Sequence, residues 1–182
     1  MKYLYVGGLG PAADREALAR IRERVAAEFP APVREIELPD VEFAYDVGRR
    51  QHKSIEVLEM LARQSPPDAH KLLAVTERDL FIPVLTFVFG QAQLNGRVAV
   101  VSLARLRQEF YGLPENREVF LERVEKEALH ETGHTYGLVH CADGSCAMSL
   151  ATNVRQIDRK RAAFCAACEG HLRRGAERGL RE

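Results

Sequence analysis

Residues 130–141 read HETGHTYGLVHC and contain three of the chain's six histidines. His130 and His134 are four apart, so a helix sets both imidazoles on one face, with Cβ atoms roughly 5–6 Å apart. A zinc ion with Zn–N bonds of about 2.0–2.1 Å can bridge that gap. Glu131 follows the first histidine and can point at the open side of the metal as a general base. Gly137 lets the helix stop and the chain turn back. His140 can then supply a third protein ligand. Three ligands leave one position open, which marks a catalytic rather than a structural zinc. The chemistry expected there is attack of a zinc-activated water on a carbonyl, with Glu131 moving the proton.

Cys141, Cys146, Cys165 and Cys168 are the only cysteines. Their pattern, C-x4-C and later C-x2-C, has the paired spacing of a closed structural zinc site. Two disulfides or a redox C-x-x-C are the competing uses, and neither suits the surrounding sequence as well. Cys141 directly follows His140, so a ligand of one metal would neighbour a ligand of the other.

These residues need a scaffold. Periodicity predicts strands over Lys2–Val6, Val33–Leu38, Leu72–Thr76, Leu85–Gln91 and Val98–Leu103. It predicts helices over Ala13–Phe29, after the turn signal Gly10-Pro11, and over Lys53–Arg63. Asn95-Gly96 signals a hairpin between the last two strands. A long helix over Asn116–Tyr136 carries the first two histidines, and Tyr136 reads as helix packing. The class is α/β with a mixed sheet and one antiparallel edge strand. The charged tail Arg173–Glu182 reads as a frayed helix.

The 182 residues suit a single domain with a sizeable core, 46% of them apolar, and the formal net charge is zero. That balance disfavours a nucleic-acid binder working through bulk charge. No apolar run is long enough for a membrane span. The N-terminus lacks the features of a signal peptide, so the expected location is cytoplasmic, where thiols stay reduced. His52, His70 and His171 read as exposed or hydrogen-bonded rather than as ligands. Arg49-Arg50-Gln51 reads as a solvated loop, and Asp79 as a turn residue that could orient a loop beside the site.

H-E-x-x-H-x-x-G-x-x-H followed by Met148 resembles the metzincin peptidases with their methionine turn. The cysteine directly after the third histidine, C-x4-C-x-M and the later C-x-x-C are similar to the archaemetzincins, also called archaelysins. Thr76–Leu80 and Phe87–Gly90 also resemble segments of that family. The resemblance implies a catalytic zinc on His130, His134 and His140, with Glu131 as base. It implies a second zinc on the four cysteines and a compact twisted sheet whose antiparallel edge borders the cleft. Residues 1–136 would end in the active-site helix. Residues 137–182 would hold the Met-turn, the cysteine site and a C-terminal helix. A substrate peptide would add along the edge near Leu85–Gln91. Because the sequence opens almost directly on a predicted strand, the pro-segment of secreted relatives is not expected. The competing reading is a zinc-containing module that binds peptides without cutting them.

Overall fold

Alternation of apolar residues builds the centre of the molecule. In the computed structural model, which describes residues 1–10 and 13–179 with side chains through Gly175, the first strand is β1, Tyr3–Gly8. Pro11 of the expected turn and residues 180–182 of the expected tail lie outside the described residues. Leu4 and Val6 enter one apolar cluster while Tyr5 enters another, so the period of two gives the sheet two cores. Helix α1, Arg15–Glu28, starts at Asp14, whose carboxylate accepts from the Ala17 amide at 3.0 Å, and it buries Ala17, Ile21 and Val25. Strand β2 follows at Val33–Glu35. It is shorter than the expected Val33–Leu38, and only an isolated bridge from Leu38 to Leu9 extends it.

Two small strands, β3 at Tyr45–Asp46 and β4 at Gln51–Lys53, precede helix α2, Ser54–Gln64. Strand β5, Ala69–Thr76, is followed by the two-residue β6, Leu80–Phe81. Strands β7, Gly90–Ala92, and β8, Val98–Ser102, then form the hairpin. The main sheet runs β2-β1-β5-β8-β7, with the first four strands parallel and β7 antiparallel at the edge. The mixed sheet with one antiparallel edge strand is therefore as expected. Strands β3, β4 and β6 form a second, three-stranded sheet that periodicity did not predict. Gln51 lies in that sheet and is buried, not in a solvated loop.

The expected strand over Leu85–Gln91 contracts to Gly90–Ala92. The residues before it are pinned as a loop by side chains that take their carbonyls. Arg49 donates to Leu85 O at 2.8 Å and Pro83 O at 3.1 Å, and Gln51 donates to Thr86 O at 3.0 Å.

Helix α3, Arg117–Thr135, packs with α1 over the core that holds Leu73, Val75 and Val101. On the opposite face α2 supplies Val57, Leu58 and Leu61 to the second core, with Leu72, Val98 and Val100. Beyond α3 the chain forms α4, Val154–Arg159, and α5, Ala166–Gly179. No described helix is long and apolar enough to cross a membrane.

Candidate metal centre

Helix α3 ends as its sequence dictates. Gly137 adopts φ +86°, the left-handed conformation that glycine takes at no steric cost. Its amide bonds to His134 O at 2.9 Å, and the Leu138 amide reaches back to Gly133 O at 3.0 Å. These two bonds close the helix in a Schellman motif and reverse the chain. His140 thereby returns to face His130 and His134, with ring centroids 5.3 and 5.0 Å away.

Backbone carbonyls fix the ring orientations. His130 Nδ1 lies 2.8 Å from Ala147 O, and His134 Nδ1 lies 2.7 Å from Leu138 O. A carbonyl oxygen can only accept, so each Nδ1 carries the proton and each Nε2 presents a lone pair. The two Nε2 atoms stand 3.1 Å apart. Ligands about 2.05 Å from a tetrahedral zinc would be about 3.3 Å apart, so the spacing fits the ion. One donor atom from each of the three histidines lies within 4.8 Å of the others. Burial lowers the affinity of all three rings for a second proton, and the Lys160 charge acts in the same direction. Neutral imidazole is the form that binds metal.

Met148 is completely buried and packs against α3 at Gly133. A β-carbon on Gly133 would fall 2.5 Å from Met148 Sδ, so the glycine of the HETGH stretch makes room for the methionine. Glu131 is buried as well, and β7 passes directly over it: a β-carbon on Gly90 would sit 2.6 Å from Glu131 Cγ. Burial pushes the Glu131 carboxyl well up, the nearby Glu127 adds to the rise, and Lys160 opposes it. Glu127 itself is paired with Lys160 at 3.2 Å, with both side chains almost fully removed from solvent.

Glu131 and Glu127 line a cavity of 300 Å³ whose other walls include Phe87, Phe89, Gly90 and Leu150. The loop on its rim is anchored from outside. Asp79 accepts two bonds from Arg105, both 2.8 Å, and one from Gln51 at 2.9 Å. Asp79 thus orients Gln51, whose side-chain amide also donates to Thr86 O in that loop. Sequence reasoning missed Gly90, Glu127 and Lys160. An isolated glycine next to a strand was the only available signal for the first.

The four cysteines form the second group, with their sulfurs within 4.8 Å of one another and no disulfide between them. Cys141 Sγ and Cys165 Sγ are 3.7 Å apart. Two thiolates about 2.3 Å from a tetrahedral zinc would be about 3.8 Å apart, so this set also fits the ion. Cys146 Sγ accepts from the amides of Met148 at 3.4 Å and Cys165 at 3.3 Å, as expected around a thiolate. A backbone hydrogen bond from Cys168 is the main influence that lowers the Cys165 thiol to about 7. The Cys141 amide bonds to Met148 O at 3.0 Å, and the preceding Ala147 O meets His130 Nδ1, so one short segment touches both groups.

His52, His70 and His171 belong to neither group. His52 departs from expectation: it is buried, and neither ring nitrogen has a hydrogen-bond partner among the described residues.

Comparison with known proteins gives a consistent picture. The family model described as Peptidase family M54 matches residues 68–174. An archaemetzincin of Methanocaldococcus jannaschii is 42% identical over 138 residues, 76% of this chain and 73% of the relative. One from Natronomonas pharaonis is 34% identical over 92% of this chain and 95% of its own length. The crystal structure of archaemetzincin from Methanopyrus kandleri superposes with a TM-score of 0.85 at 35% identity, covering 97% of this chain and 96% of that one. The Archaeoglobus fulgidus archaemetzincin, crystallised with malonate, gives 0.79 at 34% identity, covering 94% and 99%.

Proposed function

Because this chain belongs to peptidase family M54 and is a zinc metallopeptidase, we propose that it hydrolyses peptide bonds at the His130-His134-His140 centre, with Glu131 as the general base. The observation that carries this reading is the convergence of three imidazoles beside a buried Glu131 that opens into a cavity. Zinc held by the three imidazoles would supply Lewis acidity, lowering the pKa of a water in the cleft and polarising the scissile carbonyl. Glu131 accepts the proton of the attacking water at a carboxylate oxygen and delivers it to the leaving amine. Its enclosure by Gly90 and the helix holds the carboxylate in one orientation, which serves proton transfer better than a mobile group would.

Strand β7 offers its unpaired edge to the substrate backbone, while the Phe87, Phe89 and Leu150 walls receive an apolar side chain. The four cysteines would hold a second, structural zinc, which would fix residues 137–182 against the domain's sheet-and-helix part, residues 1–136. A reducing compartment such as the cytoplasm suits four unpaired thiols.

The test is Glu131→Gln in zinc-loaded protein, digesting a peptide library alongside wild type. The proposal expects unchanged zinc content and loss of cleavage by at least three orders of magnitude. Equal cleavage by both proteins would remove Glu131 from the mechanism. Peptide retention without turnover in wild type would favour the binding-module reading.

A further inference from the structure

At the N-terminal ends of the parallel strands, Lys2, His70, Lys71 and Arg97 line a cavity of 290 Å³ bordered by the Asn95-Gly96 turn. No carboxylate is among the lining residues. Asp68, next in sequence, is turned elsewhere: Oδ1 accepts from the Tyr5 hydroxyl at 3.0 Å and Oδ2 faces Arg34 at 3.5 Å. Several part-buried cations elsewhere in the protein are matched, Arg105 with Asp79, Arg117 with Asp14, Arg123 with Asp158 and Lys160 with Glu127. Here they are not matched among the described residues.

The cost of that arrangement is visible in the titrating groups. Burial and the charges of Lys71, Lys2 and Arg97 all hold His70 below its ordinary value. Burial, with the Arg97 charge behind it, brings the Lys71 ammonium down to about 8. Both groups sit in a positive field without a counterion. They also retain donors. Lys71 Nζ gives two hydrogens to Gly96 O and Thr135 O, each at 2.7 Å, and has a third. Arg97 uses Nη2 on Pro66 O at 3.3 Å and Ala69 O at 3.0 Å, and its remaining N–H groups have no partner among the described residues.

We propose that this cavity is a binding site for a multiply charged oxyanion of the phosphate class, held by Arg97, His70 and Lys2 with Lys71 behind it. A doubly charged tetrahedral anion matches three cations and a titratable ring better than a single carboxylate does. Inorganic phosphate and the phosphate group of an organic ester share this chemistry. The site is wired to the metal-binding helix. Lys71 bridges the Asn95-Gly96 turn to Thr135 O at the end of α3, and the Asn95 amide donates to His134 O at 2.8 Å.

The experiment is a titration of the zinc-loaded full chain with inorganic phosphate at constant ionic strength, following the His70 imidazole by NMR. A parallel arm uses glycerol phosphate. We expect a saturable shift and a rise in the His70 pKa, because an anion reverses the local field. Arg97→Gln, whose guanidinium lies at the rim, should weaken binding at least fivefold while leaving the His70 spectrum in chloride recognisably folded. Tighter binding of the ester assigns the site to organic phosphates, and equal or weaker binding assigns it to the inorganic ion. A His70 signal that does not move, or that moves identically in Arg97→Gln, overturns the proposal.

Discussion

A β-carbon on Gly90 would lie 2.6 Å from Cγ of Glu131 and 2.7 Å from Val100 O, so the edge strand meets the proposed base across a gap that only glycine leaves. One neighbour is the sheet's own backbone, which cannot withdraw without breaking the β7–β8 pairing. Glu131 must therefore move if that space is filled. Gly90→Ala should keep its zinc, lose about 1–3 kcal/mol of stability through overpacking, and lower kcat by ten- to a hundredfold. Zinc analysis, denaturant unfolding and steady-state kinetics on one preparation check this. Full kcat in that variant would show that Glu131 tolerates displacement.

Gly133 and Met148 form a similar pair on the other side of the helix, where the obstructing atom is the flexible methionine sulfur. Gly133→Ala alone should destabilise by about 1–3 kcal/mol. Combined with Met148→Ala, its cost should shrink, since the atom in the way has gone. A double-mutant cycle measured by urea unfolding gives the coupling. Strict additivity would mean that the helix shifts rather than the methionine.

The Glu127–Lys160 pair is buried beside the cleft at 3.2 Å. Lys160→Met leaves a carboxyl without its cation in a dry site, and such truncations cost about 3–5 kcal/mol. Burial already raises the Glu127 carboxyl, and loss of the Lys160 charge, which opposes that rise, pushes it further the same way. The double variant Glu127→Leu with Lys160→Met should recover most of the lost stability. Thermal unfolding of the three variants decides it, and a double variant no better than Lys160→Met would show that Lys160 acts through other partners.

Asp14 ties the start of α1 to the start of α3. Its oxygens accept from both terminal nitrogens of Arg117 at 2.6 Å. The Arg117 guanidinium holds this carboxyl far below its usual value of 3.8. Because the folded value is depressed, the stabilisation is present in full above the unfolded value and is lost as pH falls below about 4 through the folded one. Asp14→Asn keeps the helix cap and removes the charge. It should lower stability at neutral pH by about 1–3 kcal/mol and flatten the acid limb of the stability curve. Urea midpoints from pH 2 to 7 test this, and parallel curves for the two proteins would rule the ion pair out.

Cys165→Ser should remove the cysteine-bound metal and leave a single zinc on the histidines. His140 directly precedes Cys141, and the Cys141 amide bonds to Met148 O, so histidine-site affinity should also fall, by about ten- to a hundredfold. Competition with a chromophoric chelator measures it. Unchanged affinity would show that the two centres are independent.

The histidine and cysteine clusters that the fold brings together were legible in the sequence because each is local: His130 to His140 spans a helix turn and its cap, and the cysteines are paired. The main sheet was legible because its strands are long enough to show a period. The second sheet was not, since strands of two or three residues, such as Leu80–Phe81, carry no periodicity. The same holds for the clamped loop before Gly90, whose aromatic and β-branched residues read as strand while side chains from elsewhere hold its carbonyls. Lys160 was missed for a different reason: lysine is expected in solvent, and only the fold supplies the carboxylate that keeps it inside.

The bond from the Asn95 amide to His134 O has a consequence for how the cleft adapts. The hairpin tip is bolted to the end of α3, and Gly90 seats the hairpin's other strand on the middle of that helix. The hairpin and α3 are thus joined at two points. The opposite wall, Leu150–Thr152, packs Ala151 against the core and ties Thr152 to the Gln156 side chain, while Leu150 stands exposed. Substitutions at the exposed Leu150 should therefore retune selectivity while leaving the histidine cluster undisturbed.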